Sequence, residues 1–205
     1  MYIYAKSSEV KFLTAECEEI IHFVQKELRD YFTFDTRLIG SGDKKLVTQN
    51  GENGPFDLDY NLIIQRDKKN LINDPKKIKS LFQNSFNKIL KERYNGFKYA
   101  SDSTSVLTIK LIDDGLKFSF DVAILIENNN GTYSRLVDDK TNGMQRYIWN
   151  KVPSSKNYRE KLIEIKNNGY WNKFKERYLK HKNEHLRKND GVKSFSIFLE
   201  TLNEF

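Results

Sequence analysis

Phe56-Asp57-Leu58-Asp59-Tyr60-Asn61-Leu62-Ile63-Ile64 begins as a strict alternation of apolar and polar side chains. A β-strand sends successive side chains to opposite faces. Leu58, Tyr60, Leu62 and Ile64 therefore share one face, and Asp57, Asp59 and Asn61 the other. The strand has an apolar back and an acidic front. Two carboxylates side by side among apolar neighbours repel each other unless a cation lies between them. Ligands that are all oxygen select a hard ion, Mg²⁺ or Mn²⁺.

The flanking segments supply the rest of a fold. Upstream, residues 14–32 carry Cys17, Ile20, Ile21, Val24, Leu28 and Phe32 at three- and four-residue steps, which predicts a helix capped by Thr14. A short apolar run, Thr36-Arg37-Leu38-Ile39, leads into Gly40-Ser41-Gly42, and the polar stretch 43–55 reads as a loop or short irregular element. Downstream, residues 75–94 predict a helix with Ile78, Leu81, Phe82, Phe86, Ile89 and Leu90 as its buried stripe. Residues 106–112 and 116–126 predict two strands joined by a hairpin turn at Asp113-Asp114-Gly115. On the second strand Phe118, Phe120, Val122, Ile124 and Ile126 face one way, and Lys117, Ser119 and Asp121 the other. Residues 128–150 read as loop-rich, and helices are predicted over 158–166, 170–182 and 192–202. The order predicts an α+β fold: a small mixed β-sheet core flanked by helices over 1–130, then a C-terminal helical lobe over 131–205.

Composition narrows the function classes. A chain of 205 residues suits one compact unit, and 14 Phe, 11 Tyr and 2 Trp supply enough bulky side chains to exclude disorder throughout. The longest apolar run, residues 122–126, is far short of the roughly 20 residues that a membrane-spanning helix needs. Residues 1–11 carry no secretion signal, and the lone Cys17 has no internal disulfide partner, so a cytoplasmic location is expected. The net charge of +7 is concentrated in residues 151–193, where 13 Lys+Arg face 5 Asp+Glu. A basic segment favours anionic partners such as nucleotides or nucleic acid; its plainer reading is a solvated, lysine-rich helix surface.

Three features converge on one chemistry. Asp121 repeats the setting of Asp57 and Asp59, with a polar front and an apolar back. If the two strands are neighbours, three carboxylates meet on one patch, enough to hold two divalent ions for an in-line phosphoryl displacement. Gly40-Ser41 follows a short apolar run, where a glycine lets the backbone approach a phosphate and the serine hydroxyl donates to it. Lys44 and Lys45 add charge nearby. Neither a Walker loop nor a Gly-x-Gly-x-x-Gly fingerprint is present. A lone Asp-x-Asp is most often a solvated strand edge; the ordered set of Gly-Ser, Asp-x-Asp and a later Asp is far more demanding. His181 and His185 stand four apart without a third ligand and read as a solvated or phosphate-adjacent pair. Tyr170, Trp171, Phe174 and Tyr178 read as helix core rather than a base-stacking platform.

The segments LIGSGDKKLVTQNGENGPFDLDYNLII (38–64) and LKFSFDVAIL (116–125) resemble the DNA polymerase β-type nucleotidyltransferase superfamily. In layout they are most similar to its cyclic GMP-AMP synthase and oligoadenylate synthase-like branch. The resemblance covers about residues 14–127. It implies a metal-dependent enzyme that transfers a nucleoside monophosphate from an NTP, ATP first among them, to a hydroxyl acceptor with release of pyrophosphate. Mg²⁺ or Mn²⁺ would be held by Asp57, Asp59 and Asp121, and phosphates by Gly40, Ser41 and Lys44. The C-terminal VKSFSIFLETL (192–202) is similar to that branch's helical lobe, which implies triphosphate contacts from Lys180 and Ser194. A nucleotide or an RNA would be the acceptor partner, and no membrane is involved. Two other readings stand beside this one: a nucleotide- or RNA-binding module of the same fold without chemistry, and a toxin–antitoxin component that modifies tRNA or protein.

Overall fold

The computed structural model describes residues 1–52, 54–94, 100–113, 116–141, 146–153 and 156–205. In chain order the elements are β1 (Tyr2–Tyr4), α1 (Ser7–Leu28), β2 (Phe32–Ile39), α2 (Gly40–Lys44), β3 (Thr48–Asn50), β4 (Asp57–Asp67) and α3 (Pro75–Arg93). There follow β5 (Ser101–Asp102), β6 (Leu107–Asp113), β7 (Leu116–Glu127), β8 (Tyr133–Asp139), β9 (Arg146–Lys151), α4 (Lys156–Asn167), α5 (Trp171–Lys188) and α6 (Ser194–Leu202).

The alternating segment forms β4 and lies inside a seven-stranded sheet ordered β2-β4-β7-β6-β5, with β8 and β9 added beyond β7. β2 runs antiparallel to β4, β4 parallel to β7, and β6 antiparallel to β7. The sheet is therefore mixed, as its sequence predicts. The hairpin turn expected at Asp113-Asp114-Gly115 and the start of helix near Ser155 lie largely outside the described residues.

The apolar back of the sheet carries the main core. Leu58, Tyr60 and Leu62 of β4 and Phe118, Phe120, Val122 and Ile124 of β7 are buried against α1 and α3. Ile20, Ile21 and Val24 face them from α1, and Ile78, Phe82 and Phe86 from α3. Phe86 meets Phe120 edge-on at 6.2 Å, and Phe32 stacks on Phe82 at 5.9 Å. Each such side chain contributes roughly 1.5–3 kcal/mol on burial, so this layer sets the sheet's position. A second cluster holds α4, α5 and α6 together through Phe174, Tyr178, Ile197, Phe198 and Leu202. Leu46, from the chain between α2 and β3, plugs into that cluster and joins the helices to the sheet.

Several boundaries differ from the sequence reading. α1 begins at Ser7, and Thr14 lies inside it, donating its hydroxyl to Val10 O at 2.7 Å rather than capping. Phe32 belongs to β2 and not to the helix. Within the stretch read as loop-rich, Tyr133–Asp139 forms β8, and Arg146–Lys151 at its end forms β9. Asp74 caps α3 by accepting from Lys77 N–H at 3.0 Å, with Pro75 in its first turn. Among the described residues no helix is long and apolar enough to cross a membrane.

His181 and His185 each meet polar partners on α6 and in the chain flanking it. His185 bridges Asp190 (Nδ1 to Oδ2, 2.7 Å) and Glu200 (Nε2 to Oε2, 3.0 Å). His181 contacts Thr201 and Glu204, at 3.2 and 3.0 Å. These contacts pin α6 to α5. Hydrogen bonds donated to Asp190 and Glu200 raise the His185 pKa above its ordinary value. The imidazolium is the form that both carboxylates hold, so the clamp is complete below the ordinary histidine pKa and is lost as pH rises through the raised one. Amide hydrogen exchange in α6, corrected for its intrinsic pH dependence, is expected to quicken across that interval. His185→Gln is expected to remove the pH dependence.

Candidate active site

β4 and β7 lie side by side, and their register pairs Asp59 directly with Asp121 and Asp57 with Ser119. Neighbouring strands are about 4.8 Å apart, and paired residues project to the same face. Both acids of β4 thus meet the acid of β7 on the polar front of the sheet. The same cavity, about 390 Å³, is lined by Asp57, Asp59 and Asp121. The three carboxylates expected to converge do so.

β2 supplies the other wall. It ends at Ile39, paired with Asp59, and the chain turns at Gly40 with φ +65°. A Cβ added to Gly40 would stand 2.5 Å from Asp59 Oδ2. Only glycine fits here, on both counts: the backbone is left-handed and the carboxylate occupies the side-chain space. Gly40 and Ser41 line the cavity. Lys44 also lines it but is itself buried, donating to Gly40 O at 3.0 Å and lying over the rings of Tyr158 and Phe198 at 5.3 and 5.4 Å. It props the Gly40–Ser41 turn from behind.

The helices close the cavity from the far side. Ser194, first residue of α6, reaches it as expected. Lys180 does not. It is exposed on α5 and pairs with Glu184 at 3.9 Å. The α5 lysine at the cavity is Lys182, whose Nζ donates to Thr48 Oγ1 at 2.6 Å. The stripe Phe174, Tyr178, Lys182 at four-residue steps marks the inward side of α5. That periodicity was the available signal, and it excludes Lys180.

The electrostatics match a crowded anionic patch. Burial, then Asp121 and Asp57 beside it, push Asp59 up to about 6, partly offset by Lys44 and Arg135. Burial and Asp57 also raise Asp121, against a hydrogen bond from Thr108 Oγ1 to its Oδ1 at 2.6 Å. Burial lowers Lys182. Arg135, on β8, has a buried Nε without a hydrogen-bond partner among the described residues. Thr108, Ser119 and Arg135 were not singled out by the sequence, because only the register of β6, β7 and β8 brings them to the acids.

The donor set suits a hard divalent cation: three carboxylates, oxygen only, two of them raised by burial and then by neighbouring carboxylates. Among the described residues no three acidic, histidine or cysteine side chains already stand close enough to enclose an ion. Asp57 accepts from Ser119 Oγ and Asp121 from Thr108 Oγ1.

Several solved structures share this fold. The chain superposes on the STING-associated CdnE c-di-GMP synthase from Capnocytophaga granulosa with a TM-score of 0.63 at 15% identity, over 96% of this chain and 60% of that one. A CdnE c-di-GMP synthase from Flavobacteriaceae sp. gives a TM-score of 0.61 at 15% identity, over 97% and 64%. The Vibrio cholerae DncV cyclic AMP-GMP synthase bound to a linear intermediate gives 0.60 at 15%, over 92% and 52%. The fold is the polymerase β-type nucleotidyltransferase fold. The chain spans between about half and two thirds of the length of these neighbours. No protein-family model matches it, and no curated protein matches it by sequence.

Two outcomes follow from this geometry. Calorimetric titration with Mn²⁺ is expected to show affinity falling as pH drops through about 6, by up to about tenfold per unit, because protonated Asp59 is a poor ligand. Gly40→Ala is expected to cost about 1–2 kcal/mol in denaturant unfolding, since it combines backbone strain with displacement of Asp59.

Proposed function

We propose that this chain is a metal-dependent nucleotidyltransferase that moves a nucleoside monophosphate from an NTP to a hydroxyl acceptor. The observation that carries the reading is the pairing of Asp59 with Asp121 across parallel strands, with Gly40 packed against the Asp59 carboxylate. The similar solved structures of cyclic dinucleotide synthases support it through a shared fold.

Asp57, Asp59 and Asp121 would hold Mg²⁺ or Mn²⁺, which supplies charge stabilisation to the phosphates and to the departing pyrophosphate. The remaining work belongs to the chain. The Gly40–Ser41 turn lets the β- and γ-phosphates approach the backbone, and Ser41 Oγ donates to them. Lys182 and Ser194 meet the triphosphate from the helical side. Asp121, raised by burial, is the better placed base for the acceptor's proton. The acceptor oxygen bonds to the α-phosphorus as the bond to the β-phosphate oxygen breaks, and pyrophosphate leaves. A second nucleotide is the first acceptor to test, and an RNA end the next.

A binding module without chemistry is the second reading. It is favoured by the hydroxyl partners that already engage Asp57 and Asp121. Incubation with α-labelled ATP or GTP, Mg²⁺ and cell extract separates the two. Transfer of label with pyrophosphate release is expected from the native chain. Asp57→Asn combined with Asp59→Asn is expected to abolish both while raising Tm by about 2–4 °C, because the carboxylate repulsion is relieved. Undiminished turnover in that variant would remove the assignment, and Mg²⁺-dependent NTP binding without pyrophosphate would favour the binder.

A further inference from the structure

The short strand β1 lies outside the main sheet, paired antiparallel with β3 so that Tyr2 faces Asn50 and Tyr4 faces Thr48. It is also stitched to α5. Asn183 Oδ1 accepts from Tyr2 N–H at 2.6 Å, and Asn183 Nδ2 donates to Tyr2 O at 3.0 Å. One side-chain amide thus engages both polar groups of the Tyr2 backbone, as a neighbouring strand would. Tyr4 OH donates to Lys175 O at 2.7 Å further along the same helix.

This arrangement surrounds the ammonium of Lys182. Its Nζ stands 4.3 Å from the centre of the Tyr2 ring and 5.8 Å from that of Tyr178, and donates to Thr48 Oγ1 on β3. Lys182 is 8% exposed. A lysine has four rotatable side-chain bonds and loses about 2 kcal/mol of rotamer freedom when held, so an unsupported one would not wait in a single pose. Two ring faces and a hydroxyl fix it here, and Tyr2, Thr48, Tyr178 and Lys182 all line the cavity of the three carboxylates.

We propose that Tyr2 and Asn183 are positioning residues of the nucleotide site, acting through Lys182. The strand β1 holds the Tyr2 ring under the ammonium, Asn183 holds β1, and the ammonium is thereby aimed at the donor's phosphates. The inference rests on the nucleotidyltransferase reading and goes beyond it, since it makes the N-terminal strand part of triphosphate recognition. It does not follow from the fold alone. A lysine on a helix could reach a phosphate unaided, at lower affinity.

A double-mutant cycle on the full chain tests it, with calorimetric binding of ATP in the presence of Mg²⁺ as the measurement and Tm recorded for every variant. Lys182→Ala is expected to weaken ATP by about tenfold or more, the loss of one charged phosphate contact. Tyr2→Ala and Asn183→Ala are each expected to weaken it by about three- to tenfold, and Tyr2→Phe by less than about twofold, because the ring is kept. In the Lys182→Ala background Tyr2→Ala is expected to add nothing. Tyr4→Phe, which removes the bond to Lys175 O and leaves Tyr2 in place, is expected to lower Tm without changing affinity. Additive effects of Tyr2→Ala and Lys182→Ala, or a loss of affinity in Tyr4→Phe as large as in Tyr2→Ala, would overturn the inference and leave β1 a purely structural strap. Native chain that binds ATP beside a Tyr2→Ala variant that binds it equally well overturns this inference alone. Native chain that binds no nucleotide overturns the proposed function as well.

Discussion

Repulsion between Asp59 and Asp121 is the interaction that the rest of the molecule has to contain. The two acids are register partners on adjacent parallel strands, half-buried, with Asp57 beside them. Nothing local relieves that crowding fully. Lys44 and Arg135 offset part of it, and Thr108 and Ser119 hold two of the three carboxylates by hydrogen bonds. The remainder is borne by the opposite face of the same strands, where Leu58, Tyr60, Phe120 and Val122 are almost fully buried under α1 and α3. An unfavourable front is kept in place by a favourable back, within the narrow margin of stability that a fold has.

The cavity lies at a seam rather than within one layer. Its acids come from the sheet, its glycine turn from the end of β2, and Lys182 and Ser194 from α5 and α6. Leu46 crosses the seam into the helical cluster, and Lys44 crosses it under two aromatic rings. The relative placement of sheet and helices is therefore part of the site's geometry.

How much of this was legible in the sequence follows from how each residue earns its place. β4 and β7 were legible because their alternation is nearly unbroken and each carries its acids on the polar side. α3 was legible because Asp74 and Pro75 announce its start and its stripe is continuous. β8 was not. Its inward positions are Ser134, Leu136 and Asp138, so two of the three buried side chains are polar and the expected apolar period is absent. The first turns of α1 were missed for the same kind of reason, since most of residues 7–12 are exposed and show no stripe. Asp57, Asp59 and Asp121 could be named from local pattern, whereas Thr108, Ser119 and Arg135 depend on strand neighbours, which pattern does not encode. Lys182 is the instructive miss: a distant likeness pointed to Lys180, and the helix's own four-residue period pointed two positions on.

The parallel pairing of β4 with β7 has a kinetic side. Parallel neighbours cannot be joined by a tight turn, and here α3, β5 and β6 intervene before the partner strand returns. Closing so long a loop costs entropy before any contact rewards it, and chains dominated by such distant pairings fold slowly. Until β7 docks, Asp57 and Asp59 sit on a strand whose partner acid has not arrived. The three carboxylates therefore come together only with completion of the sheet, and a nascent or partly folded chain does not yet hold the acidic patch.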